Sequence, residues 1–202
     1  MANNVAAADD LIGMPVLSRE TGNKLGEVFD LYIDPIEGLL KGVTIEAPNG
    51  KIGGIDYKDI FSFGEDAVMA NADSSVVPLE KGWVENHSHA KKHLLGTNVI
   101  TEGGKLLGQI GNIYVRLMSP PIAIYEIRES VLDKLLGRNV FIFASAGTAL
   151  SSNAERIVVP DNVAAEAAPS LTELMNRTNQ PAQRNSAVIQ NPDDEEEHLP
   201  PR

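Results

Sequence analysis

The sequence contains no cysteine, so disulfide bonds and thiolate chemistry are excluded. Aromatic residues make up only 5% of the chain, with a single Trp. No apolar run approaches the roughly 20 residues that a membrane-spanning helix needs. The acidic segment 1–10 does not resemble a secretory signal. These absences predict a cytoplasmic protein, or one held peripherally at the cytoplasmic face of a membrane.

Segments with a strong excess of positive charge are also lacking. The net charge is −11. Residues 11–78 carry eleven acids against five bases, whereas residues 95–163 carry six of each. Binding to nucleic acids and to anionic membranes depends on Lys and Arg that neutralise phosphates. The charge distribution therefore disfavours nucleic acid as the main partner.

Two stretches of the chain repeat each other, which is the most informative feature of the sequence. At an offset of 82, turn glycines, apolar strand positions and closing prolines coincide: Gly22, Leu25 and Gly26 with Gly104, Leu107 and Gly108; Ile60-Phe61 with Ile142-Phe143; and Val76-Val77-Pro78 with Val158-Val159-Pro160. Upstream the offset is 83, so that Gly13 meets Gly96. The offset of 82 holds without a gap from Gly22 to Pro78, which predicts two copies of one small domain.

Each copy consists of short apolar segments separated by turn residues, a pattern typical of small β-barrels. We predict an all-β chain of two small barrels in tandem, with copy 1 at 11–78 and copy 2 at 95–163. Residues 1–10 are expected to be a flexible N-terminus, and residues 79–94 a linker. Gly26, inside a long predicted strand, indicates a bulge, a bend or a close backbone approach.

The pattern changes after the second copy. Ser170 and Glu173 have the spacing of a helix capping box, which predicts a short helix from about Leu171 to Arg177 within the segment 164–180. This helix is expected either to pack on the second barrel or to serve as a docking helix. Residues 181–202 are polar and acidic, and predict a disordered acidic tail.

The first copy contains the patterns Gly13-x-x-Val16, Thr21-Gly22-x-x-Leu25-Gly26-x-Val28-x-Asp30-Leu31-Tyr32-Ile33-Asp34, Gly38 and Ile55-Asp56-Tyr57-Lys58-Asp59-Ile60. This spacing of glycines and apolar residues resembles the PRC-barrel domain, a family named for the H subunit of the photosynthetic reaction centre. The second copy keeps most of these positions. It departs at Asn112, where the first copy has Asp30, and at Met118-Ser119-Pro120-Pro121, which replaces the acidic turn.

The resemblance implies a non-catalytic barrel that holds other proteins. Proteins similar to this family include the reaction-centre H subunit, a ribosome maturation factor and archaeal cell-division scaffolds. We therefore expect a protein–protein adaptor or assembly scaffold, in a multi-subunit complex such as a photosynthetic or other membrane complex, with no catalytic residue, cofactor or metal. The alternative is an RNA- or ribosome-associated maturation factor.

Six residues are candidates for partner binding. Trp83 lies in the polar linker, where it either packs on a barrel or anchors a partner. Tyr32 and Tyr114 recur at matched positions, which favours a shared structural role and leaves partner binding open at one of them. Leu171, Leu174 and Met175 form the apolar side of the predicted C-terminal helix.

Three further patterns each have two interpretations. His87, His89 and His93 could hold zinc if the linker were helical, or could be ordinary polar linker residues. Asp30, Asp34 and Glu37 could form a weak cation site, or a solvated acidic hairpin. The apolar segment Ile122–Ile127 could be an edge strand open to pairing or a buried strand. A short helix is also expected from Ser130 to Leu136.

Overall fold

The computed structural model describes residues 5–79, 94–128, 139–144, 149–150 and 155–179. Fourteen strands account for most of this structure: β1 Val5–Ala7, β2 Pro15–Ser18, β3 Lys24–Asp34, β4 Leu39–Glu46, β5 Ile52–Asp56, β6 Ile60–Phe63, β7 Val68–Ala70, β8 Val77–Pro78, β9 Asn98–Thr101, β10 Leu106–Arg116, β11 Ile122–Arg128, β12 Asn139–Phe143, β13 Ala149–Leu150 and β14 Arg156–Val159. The described residues also form three short α-helices: α1 Ala8–Leu11 between β1 and β2, and α2 Asp161–Ala165 and α3 Leu171–Asn179 after β14. Short 3-10 helices lie at Tyr57–Asp59 and Asp73–Ser75. The all-β prediction is confirmed. No helix in the described ranges is long and apolar enough to cross a membrane.

The strand pairing of the first half, which contains β2 to β8, recurs in the second half, which contains β9 to β14. In the first half, β2, β3, β4 and β5 pair in antiparallel sequence, and β7 runs parallel to β2 and antiparallel to β6. In the second half, β9, β10, β11 and β12 pair in the same antiparallel sequence, and β14 runs parallel to β9 and antiparallel to β13. All fourteen strands belong to one connected sheet. The division into two separate barrels stays a prediction, which the repeated pairing supports.

The gap-free register of the repeat is wrong after β4. Val43 pairs with Ile55, and its counterpart Tyr125 pairs with Ile142, so Ile142 corresponds to Ile55 and not to Ile60. In the second half, β14 lies beside β9 as β7 lies beside β2 in the first. The loops that join equivalent strands therefore differ in length between the two halves. An extra residue also enters β4 at Lys41, since Tyr32 pairs with Gly42 while Ile33 pairs with Leu40. Such a bulge shifts the register by one residue.

Residues 5–11 form a strand and a short helix, which differs from the expectation of a flexible segment over residues 1–10. Strand β1 pairs antiparallel with β10 of the second half, placing Val5 opposite Arg116 and Ala7 opposite Tyr114. The next turn of chain forms α1, in which Leu11 is completely buried. Strand pairing and apolar burial therefore tie this segment to both halves, and neither contribution depends on a distinctive sequence motif.

Equivalent β-bulges in β3 and β10 explain why Asp30 in the first half can correspond to Asn112 in the second. The ladder shifts between Val28 and Asp30 in one half and between Ile110 and Asn112 in the other. In each case the side-chain Oδ1 accepts the backbone N–H of the following residue, at 2.8 Å. A carboxylate and an amide oxygen serve equally as acceptors, so this sequence difference preserves the local structure.

One main hydrophobic core extends through both halves, and it includes Leu31 and Ile45 from the first half with Ile113 and Ile127 from the second. Gly26 confirms the expected close backbone approach, because a Cβ there would lie 2.4 Å from the carbonyl oxygen of Glu46. Strand β11 is buried between its two ends, which confirms the buried alternative for Ile122–Ile127.

Helix α3 begins where the capping box predicts. The Ser170 hydroxyl accepts the backbone N–H of Glu173 at 3.2 Å, a contact that satisfies one of the free N–H groups of the first turn. The helix continues two residues past Arg177, to Asn179. The expected helix at Ser130–Leu136 and the acidic tail at 181–202 lie outside the described residues.

Candidate functional site

The two halves meet at the starts of β4 and β11, where Leu39 lies opposite Ile122. The backbone N–H of Leu40 donates to the carbonyl of Pro121 at 3.0 Å, and the N–H of Ala123 donates to the carbonyl of Gly38 at 2.9 Å. The two bonds have nearly equal lengths and exchange equivalent groups between the halves. The loops that precede β4 and β11 are thereby held side by side.

A cleft of about 600 Å³ opens along this junction. Residues from both halves line it: Tyr32, Asp34, Leu39, Leu40, Lys41, Asp56, Tyr57 and Lys58 from the first, and Ser119, Pro120 and Pro121 from the second. The volume lies within the range of ligand and peptide pockets. The lining combines aromatic rings, prolines and leucines with four charged side chains.

The charged side chains of the cleft have partners of their own. Lys58 Nζ lies 3.4 Å from Asp56 Oδ2, and Lys41 forms an ion pair with Glu37. Asp34 Oδ1 accepts the backbone N–H groups of Ile36 and Glu37 at 2.8 and 3.0 Å. The cleft is thus nearly balanced in charge, which favours a neutral or mixed surface as its ligand over a strongly charged one.

Tyr57 forms one wall and connects the halves. Its hydroxyl donates to the carbonyl of Met118 at 3.5 Å, and its ring stacks with Phe63 at 6.3 Å between centroids. Desolvation raises the pKa of the Tyr57 hydroxyl above its usual range, so the group remains a neutral donor. Beside this wall, the two junction loops expose Ile36 and Met118, whose exposed fractions are 57% and 51%.

Tyr32 and Tyr114, the tyrosines that recur in the repeat, occupy equivalent positions on β3 and β10 but different surroundings. Tyr32 lies opposite Gly42 and forms part of the cleft lining, although it is almost fully buried. Tyr114 lies opposite Ile124 and donates its hydroxyl to Glu126 Oε2 at 3.0 Å. The predicted shared structural role accords with the strand positions, while the polar contact of Tyr114 is a feature of the second half.

Glu126 is the centre of a buried polar network that the sequence analysis missed. Its side chain is only 8% exposed. Besides Tyr114, Asn139 Nδ2 donates to Glu126 Oε1 at 2.6 Å, and Arg128 Nε lies 3.8 Å from the same oxygen. Asn112 Nδ2 adds a contact to the Tyr114 hydroxyl at 3.4 Å. Desolvation, with the neighbouring carboxylate, raises the pKa of Tyr114.

Helix α3 covers the face of the sheet that contains this network. Leu174 and Met175 are only 3% and 7% exposed. They form a second hydrophobic cluster with Ile124, Phe141 and Ala168, against which Leu171, Val5, Tyr114 and Phe143 also pack. Of the two alternatives expected for this helix, the structure shows the packing on the second half, and its apolar residues are not exposed anchors for a partner in this conformation.

The other predicted sites have different outcomes. Trp83 and the three histidines, His87, His89 and His93, lie outside the described residues. The carboxylates of Asp30, Asp34 and Glu37 bind separate backbone and lysine groups. Within the described ranges, no group of three or more His, Asp or Glu is placed to hold a metal ion.

The cleft residues could have been found only in part from sequence. The segment Asp56-Tyr57-Lys58 stood out as part of the family pattern, and Pro120-Pro121 as a departure from it. Their meeting depends on the junction between β4 and β11, which is a single pairing in the sheet. The bulge at Lys41 and the network around Glu126 leave no periodic signal in the sequence.

Comparison with known families finds a match in the first part of the chain, where residues 3–77 match the family model of the PRC-barrel domain. Residues 3–77 are a PRC-barrel domain. The match begins before β1 and ends within β8, so it includes the N-terminal strand that pairs with the second half. No curated protein matches the chain.

Proposed function

We propose that this protein is a non-catalytic adaptor or assembly scaffold, whose two PRC-barrel-like halves present the junction cleft to a partner protein. The cleft itself carries the proposal, since residues from both halves line it and exposed Ile36 and Met118 flank it. Buried apolar anchors surrounded by polar groups are typical of protein interfaces. The internally paired charges of the cleft suit an uncharged contact.

The proposed setting is a multi-subunit complex in the cytoplasm or at the cytoplasmic face of a membrane, for which a photosynthetic complex is one example. The PRC-barrel domain supports this setting through its resemblance to the reaction-centre H subunit. An RNA- or ribosome-associated role is the alternative. The net charge of −11 speaks against it, because RNA binding needs basic residues at the phosphates.

The proposal is tested by affinity purification of the tagged full-length protein from its native cells. A double variant, Ile36→Asp with Met118→Asp, places two charges beside the cleft at positions that are already exposed. Leu106→Asp is the matched control, because Leu106 is 58% exposed on β10 and does not line the cleft. We expect a stoichiometric set of subunits with the wild type and the control, and its loss from the double variant.

Two results would oppose the adaptor proposal. Equal recovery of the same subunits with the double variant would remove the cleft from the interface. Recovery of ribosomal RNA and ribosomal proteins, with binding that weakens steeply as salt rises, would favour the maturation-factor alternative.

A further inference from the structure

The helix α3 and the sheet face beneath it form a unit distinct from the main core. The cluster of Leu174, Met175, Ile124, Phe141 and Ala168 is separate from the core that extends through both halves. With nine residues, α3 is shorter than the roughly 12 residues that an isolated helix needs to be even marginally stable in water. Its stability therefore depends on this contact with the sheet.

The polar groups beneath α3 do not require the helix. Glu126 is held by Tyr114, Asn139 and Arg128, all on strands β10, β11 and β12. Because these partners belong to the strands and not to α3, moving the helix removes none of them. The exposed face would then consist of apolar Ile124 and Phe141 beside an already satisfied polar network.

The segment before α3 has a fixed attachment that lies outside the helix. The backbone N–H of Phe141 donates to the carbonyl of Ala168 at 2.8 Å, and the N–H of Ala168 donates to the carbonyl of Phe141 at 3.0 Å. Arg177 donates to the carbonyls of Glu166 and Ala167 at 3.3 and 2.9 Å and forms an ion pair with Glu173. The paired bonds with Phe141 allow Ala168 to stay on β12 while the helix moves about residues 169–170, and this movement breaks the contacts of Arg177 with the carbonyls of Glu166 and Ala167.

We propose that the sheet face under α3 is a helix-docking site, that α3 is its displaceable occupant, and that a partner's amphipathic helix of the same pattern competes for it. We infer the pattern of the partner's helix from α3, in which Leu171, Leu174 and Met175 lie against the sheet. An amphipathic helix in an apolar groove is a common mode of recognition, with anchors at i, i+3 and i+4. The partner's role rests on the proposed adaptor function, whereas the opening of α3 does not.

The opening is measured by thiol labelling, which is clean because the chain has no native cysteine. In the full-length protein, Met175→Cys places a thiol under α3, and Val159→Cys places one in the main core, where Val159 is completely buried. Leu106→Cys gives the rate of an exposed thiol. We expect the thiol of Met175→Cys to react at least tenfold faster than that of Val159→Cys under native conditions, because it becomes accessible by local opening. Equal rates would show that α3 leaves only on global unfolding, and would overturn the proposal.

The competition is measured with a synthetic, fluorescently labelled peptide of residues 169–179. The full-length Leu174→Asp variant should release its own helix and bind the peptide at least tenfold more tightly than the wild-type protein, in which tethered α3 occupies the site at high effective concentration. A peptide carrying the Leu174→Asp change is the control and should not bind. Binding of the wild-type peptide that is equally weak for both proteins would overturn the helix-docking site. The labelling result holds even if the adaptor's partner is never found, so the two failures are distinguishable.

Discussion

The two halves of the molecule share a strand order but differ in what lies over equivalent positions of their sheets. In the first half, Tyr32 and the residues beside it line an open cleft. In the second half, Tyr114 and Ile124 lie beneath α3, and Glu126 takes the place of Thr44 opposite the bulge. The repeated framework thus fixes backbone positions, while a few outward side chains and an added helix decide which surface is available.

The largest expected effect concerns the helix-covered face. Leu174→Ala should lower the free energy of unfolding by about 2–3 kcal/mol, because it removes a buried side chain and leaves a cavity at the helix–sheet contact. Leu106→Ala, at an exposed position of the same half, should change it by less than about 0.5 kcal/mol. Urea unfolding of both variants measures the difference. Equal small effects would mean that α3 contributes nothing to the stability of the second half.

The polar network of the second half should give a smaller effect. Tyr114→Phe removes one of the donors to buried Glu126, and we expect a loss of about 1–2 kcal/mol. Asn112→Asp tests the adjoining bulge, where a carboxylate already serves in the first half as Asp30, and it also removes the Nδ2 contact to the Tyr114 hydroxyl. It should preserve the backbone contact to Ile113. A Tyr114→Phe variant as stable as the wild type would show that Glu126 needs only Asn139 and Arg128.

Removing the hydroxyl of Tyr125, unlike that of Tyr114, should not lower the free energy of unfolding. It is completely buried in the main core, and its hydroxyl has no hydrogen-bond partner among the residues that the structure describes. Burial raises the pKa of this hydroxyl, with a contribution from Asp34. Tyr125→Phe removes an unsatisfied polar atom, so the free energy of unfolding should stay equal or rise by up to about 1 kcal/mol. A clear loss of stability in thermal unfolding would indicate a bound partner for the hydroxyl.

The smallest expected effect is a dependence on pH in the first half. Asp73 accepts hydrogen bonds from Thr21 at 2.6 Å and Asn23 at 3.1 Å, and hydrogen bonding to Thr21, Ser18 and Asn23 lowers its pKa. A lowered pKa in the folded state stabilises the protein above the unfolded-state value near 4, and this contribution disappears as the pH falls through the folded-state pKa.

Asp73→Asn should therefore be slightly less stable than the wild type at pH 7, and the gap should narrow in acid. In the second half, Asp161 accepts the N–H of Gly103 at 3.1 Å, in a turn equivalent to that of Thr21. Asp161→Asn is the matched control for a single backbone contact. Unfolding curves at pH 7 and pH 3 that show a constant gap for Asp73→Asn would contradict the assigned cause.

The strand framework was predictable because turn glycines and alternating apolar residues mark it locally. Gly22 and Gly104 both have positive φ angles, which few other residues adopt easily, so the repeat could be recognised from their spacing. The register beyond β4 was not predictable, because loops of different length join equivalent strands. The placement of β1 on β10 and the packing of α3 on Ile124 and Phe141 depend on contacts between residues distant in sequence, for which no local pattern exists.

Native-state hydrogen exchange on the full-length protein is the most direct test of the claim that one half has a removable cover over a fixed framework. The framework amides of β10, such as those of Ile113 and Val115, should exchange only by global unfolding. The amides of α3 should exchange at least a hundredfold faster, with a free energy of opening that does not depend on denaturant at low concentrations. Equal protection of α3 and β10 would contradict the account, because it would make the helix an inseparable part of the core.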